Sequence, residues 1–178
     1  MDISRNSMIT ADRDVTSNTQ GRFWNIRPAR KEDVALFTAV EMRSIPFERR
    51  LEGPGYTLPE LTRVWTQRFR SGKYTILVAV DRKDDSRVMG FLGAQIPEFR
   101  EAYINALYID PPHMRKGLAS ALLLTCETVC YLNHCSRIKL CVEPMNTSGI
   151  RFYLKHGFTK TDEKVRHLNV YVKEYSIC

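Results

Sequence analysis

Residues 106–123 combine, in order, an apolar run, two prolines, a basic turn and a helix start that opens at a glycine. Residues 107–109 suit a strand that the prolines cannot continue, and apolar residues resume at helical spacing from Leu118. A helix start presents free backbone N–H groups, and its dipole favours an anion, as do Arg115 and Lys116. This arrangement predicts a binding site for phosphate or pyrophosphate.

A second helix start follows within residues 146–158. Asn146 is a good N-cap, Ile150 and Tyr153 recur at helical spacing, and Gly157 suits the residue just past the helix end. The two helix starts are therefore expected to face one edge of a sheet.

Together these stretches resemble the acetyl-CoA motifs of the general-control-type N-acetyltransferase (GNAT) superfamily. The first motif has a proline, then a Gln or Arg, a glycine, and a Gly or Ala, at positions occupied here by Pro111, Met114, Gly117 and Ala119. The second and more specific motif is matched at Asn146, Gly149, Ile150, Tyr153, Lys155, Gly157 and Phe158. The resemblance covers approximately residues 26–175.

Two residues of the first motif depart from the family pattern. Met114 stands where relatives have Gln or Arg, which removes one side-chain contact but leaves the main-chain cradle for pyrophosphate. Arg115 stands where relatives commonly have glycine, so it either restores the lost charge or crowds the turn.

The resemblance implies acetyl-CoA as co-substrate and no metal. The residues it places against acetyl-CoA are Leu107, Tyr108, Ile109, Met114, Arg115, Lys116, Gly117, Leu118, Ala119, Ser120, Asn146 and Tyr153. It further implies direct transfer of acetyl to a primary amine of a small molecule, peptide or protein, with the thioester between the strands at residues 107–109 and 137–142. Backbone N–H groups near Ile109 would polarise the carbonyl.

In the family arrangement Tyr153 would act as the general acid that protonates the departing thiolate. The general base is poorly specified, since Asn105 and Cys141 occupy positions where relatives carry acids. Glu101 and Glu143 are weak candidates for that base. A substrate that arrives deprotonated would need no base.

The acceptor is expected to contact residues 45–61 and 97–103, which hold both acidic and basic side chains. A peptide N-terminus, a lysine, a polyamine and an aminoglycoside all remain open, as does an acyl group longer than acetyl.

These residues need an α/β (α+β) fold with a mixed, mostly antiparallel twisted sheet of about seven strands and about four helices. The predicted strands are residues 24–28, 74–81, 87–96, 103–109, 137–142, 158–164 and 168–174. The predicted helices begin near residue 33 and end at Ser44, and then cover 57–71, 117–133 and 146–156. The helix between the strands at 103–109 and 137–142 is a crossover that makes this pair parallel.

Composition sets the class of protein. At 178 residues, 43% hydrophobic and 26% charged, the chain suits one globular domain, which we place at residues 23–178 after a mobile tail at 1–22. No apolar run approaches the roughly 18 to 20 residues of a membrane helix, and no secretory signal is evident, so we expect a cytoplasmic protein with no membrane partner.

The net charge of +7 suits an anionic ligand such as CoA. Because basic and acidic residues are interleaved, we do not expect nucleic acid as a partner. The five cysteines are an odd number clustered in one third of the chain, which favours reduced thiols over structural disulfides. Because Cys126, Cys130 and His134 recur every four residues, a zinc site that also includes Cys135 is a weak alternative.

Two other functions stay open at this point. One is a non-catalytic CoA-binding sensor or interaction module, favoured by the departures at Met114, Asn105 and Cys141. The other is a basic RNA- or ribosome-associated protein. The oligomeric state, including a homodimer, is also left open.

Overall fold

The computed structural model describes residues 23–48, 55–97 and 100–175. The strands are β1 (Trp24–Pro28), β2 (Thr75–Asp81), β3 (Val88–Gln95), β4 (Glu101–Ile109), β5 (Arg137–Val142), β6 (Thr159–Val165) and β7 (Leu168–Glu174). The α-helices are α1 (Asp33–Glu48), α2 (Leu58–Arg70), α3 (Leu118–Leu132) and α4 (Thr147–Lys155), and Pro111–His113 form one turn of 3₁₀ helix. The predicted tail at 1–22 and the segments 49–54, 98–99 and 176–178 lie outside the described residues.

The seven strands form one sheet in the order β1-β2-β3-β4-β5-β7-β6. Every neighbouring pair is antiparallel except β4 and β5, which are parallel and joined through α3. The prediction of a mixed, mostly antiparallel sheet with four helices is therefore confirmed. The single parallel pair matters for function because it brings the carboxyl ends of two strands to the same edge.

One side of the sheet is covered by α1 and α2 around three aromatic rings. Phe37 of α1 stacks on Phe91 of β3 with ring centroids 4.6 Å apart, and Trp65 from α2 makes a T-shaped contact with Phe91 at a centroid distance of 5.3 Å. The indole Nε1 of Trp65 donates to the buried carboxylate of Glu41 at 2.8 Å. These contacts fix both helices on this face, beside β3 and β4.

The other side of the sheet is covered by α3, which contributes the buried residues Leu118, Leu122, Leu123, Cys126 and Cys130. Alternate residues of β2 divide between the two sides, with Val78 under α1 and α2 and Leu77 under α3. Tyr153 of α4 packs against the α3 cluster from the side. The starts of α3 and α4 are thereby held near the same strand ends.

The prediction that α1 ends at Ser44 is wrong, because the helix continues through Pro46. Ile45 is buried, and the Ser44 hydroxyl lies 2.7 Å from the Val40 carbonyl oxygen and 2.9 Å from that of Ile109. These tertiary contacts hold the last turn on the sheet despite the missing N–H of proline.

Two smaller differences concern the ends of elements. β4 begins at Glu101 rather than at residue 103. α3 ends at Leu132, and His134 lies beyond it with φ of 54°, so His134 does not continue the helical face of Cys126 and Cys130. Among residues 23–48, 55–97 and 100–175, no helix has the length and apolar character needed to span a bilayer.

Candidate active site

The parallel pair β4 and β5 separates before either strand ends. The two strands pair from Glu101 opposite Arg137 to Ile104 opposite Leu140, whereas β4 continues to Ile109. The side of β4 that faces β5 therefore lacks a ladder partner over residues 105–109. A cleft opens at this point.

A β-bulge shapes β4 where the cleft begins. Gly93 of β3 pairs with Ala106, and the next residue, Ala94, pairs with Ile104, so Asn105 is the extra residue on β4. Bulges re-aim side chains and interrupt pairing beside functional sites. Asn105 lines the cleft, and its buried Oδ1 atom has no hydrogen-bond partner within the described part of the chain.

The cleft has a volume of about 810 Å³. Of the twelve residues predicted to bind acetyl-CoA, eleven line it, namely Leu107, Tyr108, Ile109, Met114, Arg115, Gly117, Leu118, Ala119, Ser120, Asn146 and Tyr153. The exception is Lys116, whose ammonium group donates to the Pro112 carbonyl oxygen at 2.9 Å. Thus the structure gathers the predicted cofactor residues, apart from one cation, around one cavity.

The start of α3 offers unused backbone donors to this cavity. The first hydrogen bond of the helix runs from the Ala121 N–H to the Gly117 carbonyl at 3.1 Å, so the amides of residues 118–120 have no role inside the helix. The preceding loop is left-handed at Arg115, with φ of 61°, and at Gly117, with φ of 86°. Such loops point successive N–H groups into a concave anion site.

Arg115 is strained as well as charged. Its positive φ explains why the related motif commonly has glycine there, since only glycine adopts this conformation without steric cost. The side chain is exposed, so it places a positive charge at the cavity rim.

The start of α4 is built by a cap. The Oδ1 atom of Asn146 accepts hydrogen bonds from the Gly149 N–H at 2.8 Å and from the Ser148 hydroxyl at 3.1 Å. A Cβ atom at Gly149 would lie 2.6 Å from Asn146 Nδ2, so this close approach requires glycine. Asn146 therefore supports the cavity wall through its cap, and its Oδ1 is already occupied.

Tyr153 lies in the middle of α4 and lines the cleft. Its ring makes edge contacts with Phe152 and with the buried Phe158, at centroid distances of 5.3 and 5.6 Å. These two contacts restrict the ring and so fix the direction of the phenol.

The two glutamates predicted as weak base candidates do not line the cleft. Glu101 begins β4, at the opposite end from the cleft, and forms a close ion pair with Arg137. Glu143 follows β5, and its Oε1 lies 2.8 Å from His167 Nε2. Both carboxylates are thus engaged elsewhere in the described structure.

Several residues of the cleft were not found from the sequence. One is Ser44, near the end of α1. Pro46 and Phe47 also line the cleft, but they belong to the segment 45–61 that the sequence predicted to contact the acceptor; the last turn of α1, which extends further than predicted, carries them. His113 reaches it from the 3₁₀ turn. Burial lowers the pKa of His113, and the positive charges of Lys116 and Arg87 lower it further, so this imidazole is neutral at pH 7.

A second feature missed from the sequence is the contact between Tyr103 of β4 and Cys141 of β5. Burial, followed by a side-chain hydrogen bond with Cys141, raises the pKa of Tyr103. Cys141 lines the cleft. Both residues lie in strands that the sequence predicted correctly. No sequence motif marks their contact.

The cysteine-rich part of α3 is packed as core. Cys126, Cys130 and Cys135 are buried, and the thiol of Cys135 donates to the Pro97 carbonyl oxygen at 3.3 Å. Burial raises the pKa of Cys135 to about 11. Within the described ranges no group of three or more His, Cys, Asp or Glu side chains is placed to hold a metal ion.

The comparison with protein families decides the class of this fold and cleft. A model described as the acetyltransferase (GNAT) family matches residues 40–158, which are 119 of the 178 residues. The chain belongs to the GNAT acetyltransferase family. It is accordingly an enzyme of the acyltransferase class, and its general chemistry is acetyl transfer. The resemblance stated from the two motifs is confirmed.

Solved structures share the fold of this GNAT protein at low sequence identity. The PaiA N-acetyltransferase of Thermoplasma acidophilum, in complex with coenzyme A, has 23% identity and a TM-score of 0.73 over 85% of this chain and 99% of its own. An acetyltransferase of Thermus thermophilus has 19% identity and a TM-score of 0.71, covering 86% of this chain and 98% of its own.

A chimera of the spermidine N-acetyltransferase SpeG from Vibrio cholerae and hSSAT has 16% identity and a TM-score of 0.66, covering 86% of this chain and 96% of its own. A comparison with curated protein sequences gave no match. At these identities the structural likeness establishes the fold.

Proposed function

We propose that this GNAT protein transfers the acetyl group of acetyl-CoA to a primary amine by direct attack in a ternary complex. The observation that carries the proposal is the separation of β4 from β5 at Ile104, with the starts of α3 and α4 lining the cleft that results. The cavity of about 810 Å³ is in the size range of ligand pockets.

The phosphate end of the cleft fits a diphosphate. The unused amides of residues 118–120 and the left-handed loop before them supply donors, and the dipole of α3 favours negative charge. Arg115 adds a charge at the rim. Met114 offers no hydrogen bond, so binding here depends mainly on the main chain.

The strand end of the cleft fits the acyl group. Acetyl-CoA, when bound, supplies an activated thioester. The unpaired edge of β4 presents main-chain N–H groups near Ile109 that can polarise the carbonyl oxygen. As the new C–N bond forms, the C–S bond breaks, and the hydroxyl of Tyr153 gives its proton to the departing sulfur.

Asn105 is suited to hold the amine rather than to deprotonate it. Its buried Oδ1 atom is a hydrogen-bond acceptor without a partner in the described chain. A half turn about χ2 exchanges the positions of Oδ1 and the amide nitrogen, so the acceptor can occupy either position. A carboxamide does not take up a proton at neutral pH. A neutral amine therefore attacks, its nitrogen releases one proton to water once the C–N bond has formed, and the Tyr153 phenolate regains a proton from water. An amine that is neutral at working pH reacts best.

The test is mass spectrometry of the purified protein with acetyl-CoA and a panel of amines. The panel contains a peptide with a free α-amine, Nα-acetyl-lysine amide, an aminoglycoside and spermidine. Spermidine is included because one structural neighbour is a spermidine N-acetyltransferase chimera. We expect one amine class to gain one acetyl group, and propionyl-CoA in parallel reports the acyl preference. Binding of acetyl-CoA without transfer to any amine would favour a CoA sensor instead.

A further inference from the structure

His156 joins the two helices that flank the cleft. It is the C-cap residue of α4, and its Nδ1 atom lies 2.8 Å from the Phe152 carbonyl oxygen. Its Nε2 atom lies 3.0 Å from the hydroxyl oxygen of Ser120 in the first turn of α3. His156 itself is not among the residues that line the cleft, whereas Ser120 is.

The partners of the ring determine its tautomer. A carbonyl oxygen only accepts, so Nδ1 carries the hydrogen and donates to Phe152. In the neutral ring Nε2 is then an acceptor, and the Ser120 hydroxyl must donate to it. The hydroxyl oxygen of Ser120 consequently presents only lone pairs to the cleft.

This arrangement is unfavourable for an anion. The amides of residues 118–120 attract a phosphate to the start of α3. The Ser120 hydroxyl beside them, however, presents only an acceptor oxygen to that phosphate. Ser120 can donate to a phosphate oxygen only if its hydrogen leaves Nε2. Two lone pairs would then face each other at 3.0 Å unless Nε2 gains a hydrogen.

We propose that binding of CoA is coupled to uptake of one proton by His156, which switches the Ser120 hydroxyl from donating to His156 to donating to a CoA phosphate. The step is a proton transfer from solvent to Nε2, and no other covalent bond changes. The imidazolium then donates through Nδ1 to Phe152 and through Nε2 to Ser120. The inference rests on the proposed CoA site and makes His156 a positioning residue.

The charges around the ring are compatible with this switch. Arg151 and Lys155 are the charged residues near His156 in the sequence of α4, and Arg115 and Lys116 precede Ser120 in the loop before α3. Lys173 of β7, whose Cε lies 3.5 Å from the Cβ position of Gly157, donates to Glu127 of α3 at 2.7 Å, so this carboxylate is paired. The incoming phosphate supplies the negative charge that favours an imidazolium.

The direct test is the NMR spectrum of the uniformly ¹⁵N-labelled protein, which reports both the backbone amides and the histidine ring nitrogens, without and with saturating CoA at pH 7.5. The chain has only four histidines, and His156→Gln identifies the signals in question. We expect both ring nitrogens of His156 to reach imidazolium shifts on CoA binding, while His167, which pairs with Glu143 away from the cleft, stays unchanged. In Ser120→Ala with CoA bound, we expect a neutral ring.

Affinity provides a second readout. Since binding takes up a proton, the wild-type Kd for CoA should rise between pH 7.0 and 8.5 by up to about tenfold per pH unit, and Ser120→Ala should show a flatter profile. The same variant should bind about tenfold more weakly at pH 7.5 through loss of a hydrogen bond to a charged group.

The outcomes separate the two proposals. Amide signals of α3 that move while His156 stays neutral would overturn the proton coupling and leave the CoA site standing. An imidazolium in both wild type and Ser120→Ala would overturn the role of Ser120. Spectra that do not change with CoA would overturn the CoA site and the coupling together.

Discussion

The Ser44 hydroxyl shares its one hydrogen between the carbonyl oxygen of Ile109 at 2.9 Å and that of Val40 at 2.7 Å, and so links the last turns of α1 to the end of β4. Both groups are buried, and Ser44, Pro46 and Phe47 line the cleft beside that strand end. The position of the acceptor side of the cleft therefore depends on one hydrogen bond between a helix and a strand.

Ser44→Ala should lower the free energy of unfolding by about 1 to 3 kcal/mol, because the Ile109 carbonyl loses this donor in a buried position. We expect KM for the amine to rise while Kd for acetyl-CoA changes little. Urea unfolding and steady-state kinetics check both effects, with the exposed Ser86→Ala as control. An equal loss of affinity for both substrates would contradict this assignment.

Arg115 allows charge and backbone strain to be separated. Arg115→Ala removes the charge but keeps a Cβ at a positive φ, whereas Arg115→Gly removes both. Both variants should weaken CoA binding similarly. Only the glycine variant should gain stability, by about 1 kcal/mol relative to the alanine variant. Calorimetric Kd values and urea unfolding measure the two effects, and identical stabilities would show that the loop is not strained.

Tyr153→Phe should reduce kcat by roughly 10² to 10⁴ if the phenol is the general acid. The ring contacts with Phe152 and Phe158 remain, so stability and CoA affinity should persist. The matched control is Tyr131→Phe, which alters a tyrosine that is 71% exposed on α3. Unchanged turnover in Tyr153→Phe would remove this residue from the mechanism.

Asn105→Ala should raise KM for the amine about tenfold without changing CoA affinity, whereas the exposed Asn25→Ala should leave both unchanged. In the wild type, kcat/KM should rise with pH around the pKa of each amine, which is about 8 for an α-amine and about 10.4 for a lysine. Asn105→Asp supplies a carboxylate, and the rise should then occur at lower pH. One shared pKa for different amines in the wild type would indicate an enzymic base and contradict the role given to Asn105.

The fold and most of the cleft could be predicted from the sequence because the turns and helix ends in the two motifs are determined by residues close together in the chain. Gly117 and Gly157 adopt positive φ, Asn146 is an N-cap, and the prolines end β4. These features depend on neighbouring residues, so spacing reveals them. The positions of the cofactor residues in the cleft are observed, while their binding roles stay predictions.

The remaining features depend on contacts between distant segments. α1 passes Pro46 because Ser44 meets Ile109, which is 65 residues away. Glu101 lies far from the cleft because of the register of β4 against β5, and neither that register nor the bulge at Asn105 is visible in a single sequence. His156 was missed because its partner, Ser120, is 36 residues away.

The most direct measurement of the central claim is calorimetric titration of CoA into the folded protein at two temperatures. The account predicts saturable binding of one CoA per chain, with affinity reduced in Arg115→Ala. A protein whose unfolding transition is intact but which shows no heat of CoA binding at either temperature would contradict it.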